Sequence, residues 1–170
     1  MLEGFKSYKE EFCPPHLSIS PYPVRYVKEF QLENGTTVLI RPIRPEDEPL
    51  LDELFKTSSE QTIVMRFRYQ IQKMTHEQLV RYCHVDYDRE MAFVAVIIDN
   101  GRERIIGDVR FIKQPDLENA EMAVVVADRW QGQGIGKRLC DYCIGAAKES
   151  GVKKLWMEIS KDNPRMISLA

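Results

Sequence analysis

Three glycines at alternate positions, Gly132, Gly134 and Gly136, follow an apolar run and open a helical pattern. The first turn of a helix has backbone N–H groups without intrahelical partners, and the aligned peptide dipoles add partial positive charge there. Glycine has no Cβ to keep an anion away from this backbone. The spacing therefore indicates a phosphate cradle at the N-terminus of a helix.

Two common nucleotide-binding patterns do not fit this stretch. The P-loop pattern needs Ser or Thr after its lysine, whereas Arg138 follows Lys137. The pattern GxGxxG, counted from Gly132, needs a glycine where Lys137 stands. We therefore expect an anionic ligand that is recognised in another way.

The charge of the chain is unevenly distributed. Its net value of −2 argues against a general nucleic-acid binder. Residues 129–170 carry eight basic and four acidic side chains, whereas residues 1–128 carry 16 and 22. The positive segment begins at the glycine turn, so a negatively charged ligand is electrostatically favoured there.

The chain of 170 residues is long enough for one domain. Predicted strands and helices alternate along it, and these elements must position the glycines. Asn34-Gly35 predicts a hairpin with a type I′ turn. Amphipathic helices are predicted over residues 44–55 and 58–67, and the capping box of Thr75 and Gln78 begins a third.

The second half of the chain predicts most of the sheet. Strands are predicted at residues 91–98, 103–113, 120–126 and 153–160, with a long helix before the last one that ends at Gly151. The sequence thus predicts an α+β (mixed α/β) fold with a mostly antiparallel sheet flanked by helices. Four prolines mark residues 1–23 as an irregular leading segment or linker before a domain of residues 24–170.

The motif Q-x-x-G-x-G follows the strand AEMAVVV directly. It resembles the signature R/Q-x-x-G-x-G/A of the GNAT family of acetyl-CoA-dependent N-acetyltransferases. RPIRPEDEPLLDELF, ERIIGDVRF and KKLWMEIS followed by NPRM resemble further segments of that family in the same order, over residues 36–170. The resemblance implies the GNAT acyl-CoA N-acyltransferase fold, acetyl-CoA as co-substrate and no metal. It also implies the residues that hold coenzyme A: Val124, Val125, Val126, Gln131, Gly132, Gln133, Gly134, Ile135, Gly136, Lys137 and Asn163.

A narrower resemblance concerns the segments ISPYPVRYVKEFQLENGTTVLIRPIRPEDEP and AEMAVVVADRWQGQGIG. They resemble a group in which a GNAT domain is fused to an NDP-forming acyl-CoA synthetase-like domain, a group that includes bacterial protein lysine acetyltransferases. A synthetase-like domain in a longer protein is therefore an expected partner. Because the chain stops at Ala170, inside the helix that NPRM begins, the domain is expected to be truncated at its C-terminal end.

Transfer to a lysine needs a base, because neutralising its ammonium at pH 7 costs about 4.6 kcal/mol. Glu121 opens an apolar strand, where partial burial would raise its pKa, and the lysine-acetylating group has its catalytic glutamate at the matching position. The alternative is a solvent-facing Glu121 at a strand end. Glu158 is the second candidate, expected to be an outward-facing strand residue. Asn163 either contacts the pantetheine arm or caps the helix that Pro164 begins.

Three functions remain open from the sequence. The chain could acetylate a protein lysine, acetylate a small amine, or serve as a non-catalytic acyl-CoA-binding regulatory module of a larger synthetase. An acid-lined pocket would favour a small polycation, and an open groove would favour a protein.

Other chemistry is less favoured. Cys140 and Cys143 have metal or redox spacing, but they lie inside the predicted helix and no second pair completes a zinc site, so free thiols are expected. No apolar run reaches the ~20 residues that span a bilayer, and the N-terminus has no signal-peptide core. We therefore expect a cytoplasmic protein without a membrane partner.

Overall fold

Six strands form a single sheet in the order β1-β2-β3-β4-β5-β6 in the computed structural model, which describes residues 21–71 and 73–168. Neighbouring strands are antiparallel, except that β5 and β6 are parallel. The strands are β1 (Lys28–Gln31), β2 (Thr37–Pro42), β3 (Glu90–Asp99), β4 (Arg102–Lys113), β5 (Asn119–Val126) and β6 (Lys154–Trp156). The helices are α1 (Glu48–Thr57), α2 (Glu60–Phe67), α3 (His76–Cys83), α4 (Ile135–Glu149) and α5 (Pro164–Ile167). The prediction of an α+β fold with a mostly antiparallel sheet is confirmed.

The two Asn-Gly turns adopt different conformations. At the β1–β2 hairpin only Gly35 has a positive φ, of 81°, and its N–H donates to the Leu32 carbonyl. That is a type I turn followed by a left-handed glycine, so the predicted hairpin is confirmed but its type I′ turn is wrong. The two-residue turn between β3 and β4 has positive φ at both Asn100 and Gly101, as type I′ requires.

The helix ends follow the local sequence signals. Thr75 and Gln78 form the predicted capping box of α3, and the Ser59 hydroxyl accepts from the backbone N–H of Thr62 at the start of α2. Gly151, with φ of 82°, follows the last residues of α4, as predicted for its C-terminus. The last strand is shorter than predicted, because pairing with β5 ends at Glu121 opposite Trp156.

Helices cover both faces of the sheet. On one face α4 buries Leu139 and Cys143 against the strands. On the other face α1, α2 and α3 form a second core that includes Leu51 and Leu54. A Cβ on Gly107 of β4 would lie 2.8 Å from Leu139 Cδ1 and 3.2 Å from the Val125 carbonyl oxygen, so the Leu139 side chain of α4 would have to shift to admit a larger residue.

The N-terminal part of the described chain is tied to the domain. The Tyr22 hydroxyl donates to the Pro42 carbonyl at 2.8 Å, and the Tyr26 hydroxyl donates to Glu149 at 2.6 Å. The predicted leading segment otherwise falls outside the described residues, as do Cys13 and His16. None of the helices within residues 21–71 and 73–168 is long and apolar enough to cross a membrane.

Candidate active site

A cleft of about 1020 Å³ opens where β5 and β6 separate. It runs along the C-terminal half of β5, from Glu121 to the glycine turn, and α2 and the segment after β6 form its other sides. Glu121 and Val126 are five residues apart along the strand, or about 17 Å. The cleft therefore joins the candidate base to the candidate phosphate cradle.

The backbone of β5 presents alternate residues to this cleft. The Ala127 N–H donates to the Ile106 carbonyl of the neighbouring strand. Because bonding directions alternate along an antiparallel pair, Val125 also turns its backbone groups to β4, whereas Val124 and Val126 turn theirs to the cleft. The backbone groups of Val124 and Val126 therefore face the cleft, where the Val126 carbonyl accepts from Gln131, and those of Val125 face β4.

The glycine turn has the geometry of an open cradle. Gly132 and Gly134 have φ of 75° and 80°, and an added Cβ at either would meet nothing within 4 Å. The need for glycine is therefore conformational, and the space beside the turn is left for a ligand. Gly134 precedes the first residue of α4, so the N–H groups of Ile135, Gly136 and Lys137 lie in the unpaired first turn.

Side chains brace this turn against α2. Gln131 donates through Nε2 to the Val126 carbonyl at 3.0 Å and to Thr62 Oγ1 at 3.1 Å. Asp128 accepts from the backbone N–H and hydroxyl of Ser59, both at 2.7 Å, and from Thr62 Oγ1 at 2.8 Å. Burial opposes the ionised form of Asp128, but these hydrogen bonds outweigh it and hold its pKa below the ordinary value.

The other predicted donor-site residues take distinct places. The Gln133 side chain donates to the Arg129 carbonyl at 3.1 Å, and the Ile135 side chain is buried in the core. Lys137 is exposed and pairs with Asp141 at 2.8 Å. Asn163 caps α5 by accepting from the Met166 N–H through the oxygen of its amide group at 3.2 Å, which confirms the capping interpretation.

Glu121 lies on the rim of the cleft with an exposed side chain, so the expected partial burial is not observed. The reason is that β6 ends opposite Glu121 and covers no more of β5. Glu158, expected in a strand, instead follows the end of β6. Its carboxylate pairs with Arg68, directly after α2, at 2.8 Å, and both side chains are about half exposed.

Sequence reasoning missed a charged group on the same face of the sheet as Glu121. Asp108 and Arg110 on β4 are almost fully buried and paired at 2.7 and 3.1 Å. Arg110 also donates to the Tyr82 carbonyl and lies 4.3 Å from the centre of its ring. Arg66 of α2 lies beside them. The alternation D-V-R within an apolar strand was the available signal, since residues two apart share a face.

The cysteines and histidines lie apart from this chemistry. Burial raises the pKa of Cys140 to about 11, that of Cys83 to about 12 and that of Cys143 further still. His76 is exposed and contacts Glu48 at the start of α3. Across the described part of the chain, no group of three or more His, Cys, Asp and Glu residues could hold a metal ion.

Comparison with known proteins settles the family. A sequence model described as the acetyltransferase (GNAT) family matches residues 51–170. The chain belongs to this family. It is therefore an acyltransferase enzyme of a family that uses acetyl-CoA, and the open glycine turn and the backbone of β5 fit that co-substrate.

Two curated relatives support the assignment. The chain is 31% identical over 138 residues to acetyltransferase PA5475 of Pseudomonas aeruginosa, covering 81% of this chain and 74% of that protein. It is 33% identical over 150 residues to acetyltransferase Pat of Mycolicibacterium smegmatis. That match covers 87% of this chain but only 42% of Pat.

Solved structures show the same fold. The GNAT domain of S. lividans PAT matches with a TM-score of 0.79 and 25% identity, over 88% of this chain and 87% of that one. A cAMP-binding acyltransferase from Mycobacterium smegmatis matches with a TM-score of 0.56 and 25% identity, over 86% of this chain and 42% of that one. The expected GNAT fold is confirmed.

Proposed function

We propose that this enzyme transfers the acetyl group of acetyl-CoA to the ε-amine of a protein lysine, with Glu121 as the general base. One observation carries the proposal. Glu121 and the glycine turn open onto the same cleft, at the two ends of the part of β5 that β6 leaves uncovered. A bound acyl donor and a base therefore share one space.

The donor would be held mainly by backbone. The N–H groups of the glycine turn and of the first turn of α4 would bind the pyrophosphate, and Lys137 would add positive charge. The backbone of Val124 and Val126 would pair with the pantetheine arm along the open side of β5. The amide nitrogen of Asn163 would donate to that arm, since its oxygen is used by the α5 cap.

The chemistry needs one proton removed and one oxygen stabilised. Acetyl-CoA supplies a thioester carbonyl, which a neutral amine can attack without a covalent enzyme intermediate. Glu121 would take the proton of the lysine ammonium directly or through a water molecule. The Val124 N–H, directed into the cleft, would donate to the oxygen on which negative charge develops.

The charges around Glu121 favour a protein side chain over a small polycation. Arg66 and Arg68 line the cleft together with Glu121 and Glu158, so the pocket is not lined by acids alone. Glu121, Arg68 and Glu158 are exposed at the cleft, which leaves room for a lysine presented from a protein surface.

The lengths of the relatives support a proposal for the longer protein around this domain. The chain spans less than half of Pat. We propose that residues 24–170 form the acetyltransferase unit, that residues 1–23 act as a linker, and that a synthetase-like domain accompanies the unit in a longer protein.

Glu121→Gln tests the base. It removes the proton acceptor but keeps the shape, so we expect kcat to fall by about 10²- to 10⁴-fold, with the calorimetric Kd for acetyl-CoA unchanged. Glu158→Gln tests the second candidate, and Glu118→Gln, in the β4–β5 turn, is the matched control. An unchanged kcat for Glu121→Gln, or a larger loss for Glu158→Gln, would contradict the role of Glu121.

The acceptor is tested with protein and small amines in parallel. Lysine-containing peptides and folded proteins should be acetylated at lysine, as read by mass spectrometry, with higher kcat/KM than spermidine or free amino acids. A higher kcat/KM for a small amine would overturn the proposed acceptor and leave the transferase chemistry in place.

A further inference from the structure

A second cavity of about 240 Å³ adjoins the cleft, and Arg66, Tyr82 and Glu121 line both. It lies on the face of the sheet that carries Ala123, beside the buried pair of Asp108 and Arg110. A group attached to the acceptor next to its amine could enter this cavity while the amine remains at Glu121. The chemistry of the cavity therefore bears on which acceptors fit.

Three arginines line this cavity, Arg66, Arg81 and Arg110, together with the carboxylates of Glu90 and Glu121. Arg81 is exposed, and of the two other arginines only Arg110 is hydrogen-bonded within the protein. Arg110 makes two hydrogen bonds to Asp108 and one to the Tyr82 carbonyl, so each of its three guanidinium nitrogens has an internal partner. Arg66 makes no hydrogen bond or ion pair with the described residues, and its Nε is buried without a partner. Its Cζ lies 4.8 Å from the centre of the Phe67 ring.

The acidic residues near Arg66 do not supply the missing hydrogen-bond partner. Burial lowers the pKa of Arg66, and this effect exceeds the opposing attraction of Asp108 and Glu121. Asp108 is already engaged by Arg110, and Glu121 is exposed on the rim. A buried N–H without a partner costs free energy that a ligand can recover.

We propose that Arg66 binds a carboxylate carried by the acceptor next to its reactive amine, so that the second cavity is an anion subsite. A carboxylate matches the planar fork of a guanidinium and can accept two hydrogen bonds from it. This inference rests on the proposed function. For a protein acceptor, it assigns a preference for a lysine that is followed by Asp or Glu.

The test compares two peptides that differ by one group, Ac-Gly-Lys-Glu-Gly-NH2 and Ac-Gly-Lys-Gln-Gly-NH2. We expect the glutamate peptide to have a kcat/KM about 10- to 100-fold higher. Arg66→Met should abolish this preference by raising KM for the glutamate peptide alone, and Arg66→Lys should retain part of it. Arg102→Met, which changes an exposed arginine at the start of β4, is the control for loss of one positive charge.

A readout without turnover separates this inference from the proposed function. The Nε–H resonance of Arg66, assigned by its loss in Arg66→Met, should shift when the glutamate peptide is added and not with the glutamine peptide. That shift without acetylation of either peptide would refute protein lysine as the acceptor and support the anion subsite.

Three results would overturn the inference. One is equal kcat/KM for the two peptides with the unaltered enzyme. Another is a resonance that does not respond to the glutamate peptide. The third is an Arg66→Met variant that slows both peptides equally and displaces the acid limb of the pH–kcat/KM profile, because Arg66 would then act by positioning Glu121.

Discussion

The two ends of the cleft are built differently. The donor end, residues 126–137, is fixed by two glycines with positive φ and by the side chains of Asp128 and Gln131, which tie it to α2. The acceptor end, residues 154–167, has a three-residue strand and a four-residue helix. Glu158 between them pairs with Arg68, and both side chains are about half exposed. The donor is the same molecule in every turnover, and a fixed backbone conformation is enough to bind it. The acceptor is contacted mainly by side chains.

The largest expected effect is at the donor end. Gly134→Ala places a Cβ on a residue with φ of 80°, which costs about 1–2 kcal/mol, or else turns N–H groups away from the cradle. We expect acetyl-CoA affinity to fall about tenfold or more by calorimetry. Gly145→Ala in α4, where φ is not positive and a Cβ has open space, should stabilise the protein by about 0.5–1 kcal/mol. Equal affinities for both variants would show that the turn does not hold the donor.

Removing the Asp128 carboxylate, which connects the donor end to the start of α2, should have a smaller effect, and that effect should depend on pH. Asp128→Asn weakens three hydrogen bonds, so we expect a loss of about 0.5–1.5 kcal/mol in the free energy of unfolding at pH 7. The pKa of Asp128 is lowered by folding. Its stabilising contribution is therefore complete above the unfolded pKa of about 4 and is lost as pH falls through the lower folded value.

Urea unfolding of the unaltered protein and of Asp128→Asn between about pH 2.5 and 7 measures this pH dependence. The difference in unfolding free energy should be constant above about pH 5 and shrink below it. A difference that grows on acidification would contradict the role of the ionised carboxylate.

The smallest effect is expected at the acceptor end. Arg68→Met breaks an ion pair between two half-exposed side chains, which is worth about 0–1 kcal/mol. We expect almost no change in thermal unfolding or in acetyl-CoA affinity, and a change confined to the KM of the acceptor. Loss of donor affinity in this variant would show that the two ends are coupled more closely than their contacts indicate.

The sequence predicted most of the frame of the site, because strand periodicity, caps and the glycine motif are local signals. The start of the third helix at Thr75 and the end of α4 at Gly151 were predicted from local signals and are confirmed. They did not predict where β6 ends, since the 153–160 stretch has strand composition throughout and its length depends on how far β5 can pair with it. The exposure of Glu121 follows from that same tertiary fact.

Partner choice among polar side chains was also beyond the sequence. Spacing did not predict that the Gln131 amide nitrogen donates to the Val126 carbonyl and to Thr62. Asp108 pairs with Arg110 and leaves Arg66 without a carboxylate. The partners of Gln131 and Asp108 depend on which of several similar groups comes within about 3 Å after folding. Residue spacing along the chain does not determine this.

The strand order has a consequence for how the enzyme is made. β1 and β2 form one hairpin and β3, β4 and β5 form two more, whereas residues 43–89, with α1, α2 and α3, separate β2 from β3. The hairpins need only local contacts and can pair as soon as both of their strands leave the ribosome. The parallel partner of β5 must wait for the whole of α4, because a parallel connection needs a crossover of a dozen or more residues. The nascent chain thus pairs the strands before β6 earlier than it forms the cleft, whose other side needs β6 and the segment after it.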